Sequence, residues 1–386
     1  VLFDDTEIAF KAKSKKDLKR AYWLFKLVSS YPLVKVGSFC LQIALFLRLP
    51  IRKIIKSTIF EHFCGGESIT DCEKTIQELG KYQIGTILDY SVEGQENEDS
   101  FDSVMKETLA TIDKAAQDDH IPFCVFKATG MGRFHLFEKI NRNQILTESE
   151  KKEFEKIFFR IEQICQKAHD LNVPVFIDAE ESWIQNAIDD IVNKMMQKFN
   201  KEKIIVFNTL QMYRWDRLAY LKQCHADAVN KNYFLGLKIV RGAYMEKERS
   251  RAKEMNYKSP IQKDKAHTDK DYDLAIAFCL NHIDRISICA GTHNENSTTK
   301  LCQLMREHKI KHQDTRIYFS QLLGMSDHLS YNLSHNSFKV AKYVPYGPVK
   351  KVIPYLIRRA EENTSISGQT SRELSLIMKE RARRNV

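Results

Sequence analysis

Beyond residue 84 the chain repeats one grammar eight times: a short run rich in Val, Ile, Leu and Phe, then a longer stretch with apolar residues at helical spacing. The runs cover 85–90, 123–128, 173–179, 204–209, 235–240, 285–290, 316–320 and 340–345. A strand wetted on one face alternates apolar and polar residues. These runs are apolar almost throughout, as strands covered on both faces are. Eight such units in about 300 residues predict a (β/α)8 TIM-like barrel. An open, doubly wound sheet shares the grammar, but no G-x-G-x-x-G follows the first run.

The segment before the first run reads differently. Apolar residues recur every three or four positions from Leu18 to Leu79, Gly65 and Gly66 interrupt them, and Ser68 is placed to cap the next helix. The organisation is therefore a helical region over 1–80 and a barrel catalytic domain over 81–386. The most apolar stretch, 33–50, contains Lys35 and runs into Arg48, Arg52 and Lys53. That is marginal for a membrane span and reads as a buried or interfacial amphipathic helix. A net charge of +10 admits anionic partners, but neither an RNA-binding signature nor finger spacing of Cys and His is present, so nucleic acid is not expected. Nine cysteines without a C-x-x-C pair argue for a reducing compartment and against a disulfide framework or structural zinc.

Barrel sites are built at the C-terminal ends of strands, and here those ends are polar. They carry Asp89, Tyr90 and Glu93; Lys127 and Thr129; Asp178, Glu180 and Glu181; Asn208 to Tyr213; Lys238 and Arg241 to Tyr244; Thr292, His293 and Asn294; Leu322; and Tyr343. Behind the last run, Tyr355, Arg358, Arg359 and Glu362 share one side of a helix. Adjacent guanidiniums form a fork that grips a small carboxylate, and Glu362 can brace them. Neither a G-x-S-x-G elbow nor H-E-x-x-H is present. Asp178, Glu180, Glu181 and His293 could together hold a metal, and Lys127 or Lys238 could form a Schiff base. Cations beside Tyr and Leu walls suit a large anionic cofactor with an apolar ring, next to a small carboxylate substrate.

The segments 88–94, 176–182, 237–244, 291–294 and 355–363 resemble the proline dehydrogenase family, in order, from about residue 60 onward, with the likeness nearest its stand-alone, eukaryotic-like branch. The resemblance implies non-covalent FAD, oxidation of L-proline to Δ1-pyrroline-5-carboxylate and electron transfer to a membrane quinone. It assigns Arg358 and Arg359 to the proline carboxylate, helped by Lys127, with Glu362 and Asp178 steadying these groups. Leu322, Tyr343 and Tyr355 would wall the pyrrolidine ring. Gln211, Lys238, Arg241, Gly242, Ala243 and Tyr244 would line the flavin, and Thr292, His293 and Asn294 the rest of FAD. No metal is implied.

Two departures from the family pattern stand out. Lys238 replaces an Arg of the bifunctional bacterial relatives, and 260–269 lacks the Arg they place near the pyrophosphate, leaving Lys263 or Lys265. Tyr343 favours proline over trans-4-hydroxyproline, whose hydroxyl would meet its bulk. With no second catalytic domain in the sequence, onward oxidation to glutamate calls for a separate aldehyde dehydrogenase. The expected place is the cytoplasmic side of a bacterial inner membrane, as a peripheral protein, or the matrix side of the mitochondrial inner membrane in a eukaryote. A Schiff-base lyase and a non-enzymatic basic scaffold at the membrane are the readings from other classes.

Overall fold

The computed structural model describes residues 3–28, 37, 52–92, 94, 96–365 and 369–386, apart from the side chains of 28, 52, 54 and 360–371. The apolar stretch 33–50 lies outside the described residues, as does Glu93. Eight parallel strands close in chain order: β1 (Ile84–Tyr90), β2 (Phe123–Lys127), β3 (Val175–Asp178), β4 (Val206–Gln211), β5 (Leu235–Val240), β6 (Ile286–Gly291), β7 (Ile317–Leu322) and β8 (Val340–Tyr346). β8 pairs back on β1 from Ile84 opposite Val340 to Tyr90 opposite Tyr346. The expected (β/α)8 barrel is the fold, and each of the eight apolar runs contributes a strand.

Two strands start two residues later than their apolar runs. β3 begins after Pro174, which has no N–H to give a ladder. β4 begins at Val206 because the Asn200 side chain takes the backbone N–H groups of Ile205 (3.0 Å) and Val206 (2.9 Å). That shift puts Gln211, rather than Thr209, at the end of the strand.

Aromatic rings fill the barrel interior. Phe123 stacks on Phe176 with centroids 4.5 Å apart, and Phe207 meets both edge-on. Ile87, Val125, Cys289, Ala341 and Tyr343 complete this inner cluster, so the barrel is a packed core beneath its strand ends. A larger apolar layer lies between the strands and the outer helices, among them Glu98–Ala116, Glu148–Asp170, Ser182–Phe199, Lys265–Asn281 and Glu295–Glu307.

The helix bearing the arginine pair, Val349–Ser365, is positioned from below. Its Val349, Val352, Ile353, Tyr355 and Leu356 pack on Ile55, Phe60, Phe63 and Cys64 of the N-terminal region and on Met325, with Leu322 at the edge. Gly65 donates its N–H to the Pro345 carbonyl (2.9 Å), which continues the end of β8 into this contact. Ser68 caps the next helix, Ile69–Gly80, by accepting from the N–H of Asp71. Among the described residues no helix is long and apolar enough to cross a membrane.

Candidate active site at the strand ends

Asp178, the last residue of β3, is the centre of the polar cluster. Its Oδ1 accepts from Lys238 Nζ (2.6 Å) and from Thr209 Oγ1 (3.3 Å), and its Oδ2 accepts from Tyr343 Oη (2.8 Å). The Lys238 ammonium also lies 4.5 Å from the Tyr343 ring centroid. Burial opposes the Asp178 charge, but Lys238, Lys127 and the donated bonds outweigh it and hold the carboxyl below its ordinary range. Burial and that same carboxylate push the Tyr343 phenol far up, so it is a donor at any physiological pH. Lys127 lies beside Asp178 in register on β2 and its Nζ is 3.6 Å from Asp89. Asp178 thus engages Lys238 directly, while the carboxylate beside Lys127 is that of Asp89.

A second group forms at the ends of β5 and β6. Arg241 donates to Asp269 (2.7 Å), Thr292 Oγ1 (2.6 Å) and Ser297 Oγ (2.9 Å), and its guanidinium lies over the Tyr272 ring. Asn294 caps the Glu295–Glu307 helix, its Oδ1 accepting from Ser297 N–H (3.0 Å), so its side-chain oxygen is already engaged. His293 Nδ1 meets Ser326 Oγ at 2.9 Å. Burial, together with Lys342, Arg359, His328 and Arg241, pushes its pKa down to about 3, so the ring is neutral. Ala243 is exposed, and Gly242 has φ +133 with the Tyr213 ring where a Cβ would stand. Tyr244 opens the Met245–Glu254 helix, which the Glu248 carboxylate ties to the Ser182 N–H (2.7 Å). Lys265 shares Asp269 with Arg241, while Lys263 is exposed.

On the third side, Tyr355 and Arg359 are buried and Arg358 is half-buried, with the Arg359 guanidinium 5.2 Å from the Tyr355 ring centroid. The charge of Arg359 also acts on His293 at the end of β6. Leu322 stands opposite Tyr343 in register. Glu362 lies in the same helix, its side chain outside the described residues. The site residues therefore fall into three groups: Lys127, Asp178, Lys238 and Tyr343; Arg241, Thr292, His293 and Asn294; and Leu322, Tyr355, Arg358 and Arg359.

The residues fit a flavin nucleotide. Gln211 is buried at the end of β4, and its Oε1 has no donor among the described residues, an acceptor waiting for a heterocyclic N–H. Arg241 is a fixed cation at the opposite end, suited to a diphosphate. For a metal, the four residues raised from the sequence are separately committed. Asp178 takes Lys238, Glu180 takes the Thr129 N–H (3.0 Å) and hydroxyl, Glu181 takes Lys247, and His293 takes Ser326. Among the described residues no group of three or more His, Cys, Asp or Glu is arranged for a metal ion. A cleft of about 340 Å³ on the barrel flank, lined by Asp190, Lys194, Asp227 and Lys231 together with Cys224 and Tyr233, lies away from the strand ends.

Sequence reasoning gave no role to Asp269, Ser297 or Ser326. Each is a small polar or acidic residue inside a helix or turn, and only its distance to a partner far along the chain marks it out.

The family described as Proline dehydrogenase is matched over residues 72–372. The chain is 35% identical over 324 residues to the carbapenem antibiotics biosynthesis protein CarD of Pectobacterium carotovorum subsp. carotovorum, covering 84% of each. It is 36% identical over 383 residues to mitochondrial proline dehydrogenase 1 of Dictyostelium discoideum, covering 88% of this chain and 67% of that one. Among solved structures, proline utilization A (PutA) from Bdellovibrio bacteriovorus inactivated by N-propargylglycine superposes with a TM-score of 0.74 at 17% identity. That superposition covers 93% of this chain but 38% of the other, and at such identity it speaks for the barrel alone. With the match running from the helix before β1 through the arginine-bearing helix, the chain belongs to the proline dehydrogenase family.

Proposed function

We propose that this chain oxidises L-proline to Δ1-pyrroline-5-carboxylate with non-covalently bound FAD and passes the electrons to a membrane quinone. The observation that carries the reading is the buried Arg359 guanidinium over the Tyr355 ring, next to Arg358, on a helix packed against Leu322 at the end of β7. Two guanidiniums bind the substrate carboxylate, and Lys127 adds a third positive charge from β2. Leu322, Tyr343 and Tyr355 cover the apolar ring, so one end is held by charge and the other by shape. Asp178 keeps Lys238 and Tyr343 in place, and no water is needed between them.

The flavin, when bound, supplies the two-electron acceptor for the hydride leaving the ring carbon next to nitrogen. Gln211, Lys238, Arg241, Gly242, Ala243, Tyr244, Thr292, His293 and Asn294 would hold it. The amine gives up its proton to solvent, its lone pair closes the C=N bond, and the carboxylate stays on the arginines throughout. Tyr343, fixed to Asp178, leaves little room for a 4-hydroxyl, which favours proline over trans-4-hydroxyproline. Lys238 is engaged by Asp178 and the Tyr343 ring, which weighs against a Schiff base there. The basic Lys15–Val28 helix, with Trp23 and Leu27 exposed, supports peripheral contact with an anionic membrane. A separate aldehyde dehydrogenase would act on the product.

The test is a visible spectrum of the purified protein before and after anaerobic L-proline. A flavin spectrum that bleaches with proline supports the reading. Bleaching by hydroxyproline alone moves the substrate. A protein that stays colourless after incubation with FAD sinks it.

A further inference from the structure

The turn after β7, from Leu322 to Asp327, is held from three directions. From β8, the buried Lys342 ammonium donates to the carbonyls of Met325 (2.6 Å) and Leu322 (3.4 Å) and pairs with Asp327 (2.9 Å). From the N-terminal region, His62 Nε2 meets the Gly324 carbonyl at 2.9 Å, and Lys13 reaches Asp327 at 3.4 Å. From the last helix, Gln369–Arg383, both carboxylate oxygens of Glu373 accept from the backbone N–H of Ser326 (2.9 and 3.0 Å). The turn needs such restraint, because Gly324 (φ +75) and Ser326 (φ 51) both adopt left-handed backbone. For serine that conformation persists only where its surroundings impose it.

Ser326 faces the site with its other polar group. Its hydroxyl meets His293 Nδ1 at 2.9 Å, and among the described residues Nε2 has no protein partner. The strained residue thus joins a buried carboxylate on the last helix to a neutral imidazole at the end of β6. We propose that Glu373, acting through Ser326, is a positioning residue that fixes the orientation of His293 and so shapes the nucleotide side of the site. This rests on the flavin reading above.

The charges around Glu373 are Asp327, Lys342 and Lys13, with Arg372 turned to Glu295. Burial, then Asp327, raises Glu373 to about 7 against the Ser326 N–H and the two lysines. Ionised, it accepts with both oxygens; protonated, it gives up one of them as a donor. The hold on Ser326 therefore weakens as pH falls through neutrality.

The experiment compares the full chain with Glu373→Gln and Ser326→Ala. Three quantities are read: the ring ¹⁵N shifts of His293, FAD affinity by flavin fluorescence quenching, and thermal midpoint. The expected result is a single set of His293 ring shifts in the unsubstituted protein and moved or broadened signals in both variants. FAD should bind about tenfold more weakly, the worth of one hydrogen bond. The pH dependence of FAD affinity near 7 should vanish in Glu373→Gln. If that variant does not fold, Ser326→Ala carries the test, since it removes only the hydroxyl. His293 shifts unchanged in a folded variant overturn the proposal. An unsubstituted protein that binds no FAD overturns the flavin reading, while the His293 shifts still decide the positioning role.

Discussion

Asp178 and Lys238 are both largely buried, with side chains 13% and 8% exposed. Taking the charge from Asp178 leaves an ammonium in the barrel mouth without its counter-ion, a loss on the order of 3 kcal/mol. Asp178→Asn should therefore lower stability at neutral pH by roughly that amount. The pH dependence has a definite sign. A carboxyl held below its ordinary 3.8 stabilises fully above that value and loses its contribution as pH falls through the folded pKa. Denaturant melts of the two proteins should differ from pH 7 down to about 4 and converge below; a gap that stays constant to pH 2.5 would show that packing, not charge, is lost. Which residue types gather at this mouth was legible in the sequence, since strand ends carry polar groups by rule. Their partners were not. Lys127 lies next to Asp178 in register, yet Lys238 from β5 makes the bond, because stagger in a closed barrel decides which side chains converge.

The strands themselves were legible for a plain reason: a parallel strand buried on both faces is predominantly apolar, and β4 and β8 are buried along their whole length. Their starts were less so. Ile204 and Ile205 look like strand, but the Asn200 side chain serves the backbone there, and an Asn at a helix end gives no warning of that role. Gly236 is an element-scale feature with a consequence. It sits opposite Phe207 in register, and a Cβ there would lie 2.5 Å from the Val206 carbonyl oxygen and 2.6 Å from the Phe207 ring. Phe207 is wedged edge-on against Phe123 and Phe176 and has nowhere to turn. Gly236→Ala should cost about 1–3 kcal/mol by overpacking. Urea unfolding measures it directly, and a midpoint equal to that of the parent would mean the β4–β5 contact gives way more easily than its geometry implies.

The two ends of the chain close on each other across the outside of the barrel. Ala9, Phe10, Leu18, Ala21 and Phe25 pack against Leu376 and Ile377 of the last helix. Arg384 donates to the carbonyls of Lys13 (2.6 Å) and Phe10 (2.9 Å), and Lys379 to that of Asp4 (2.9 Å). Glu380, wholly covered, receives Arg383 and Arg384. None of this was legible in the sequence. A chain ending at residue 368 would lose the burial of Leu376 and Ile377, each worth roughly 1.5–3 kcal/mol, and would uncover their partners. We expect the thermal midpoint to fall by roughly 5–10 °C, with new binding of a dye that reports apolar surface. Phe25→Ala should move both readouts the same way, because it opens the same contact from the other side. Ile145→Ala, at a side chain already 94% exposed, should move neither. A truncated chain that melts like the full one and binds no dye would show that the clasp adds nothing to the barrel. The turn after β7 would then have to be held by Lys342, His62 and Lys13.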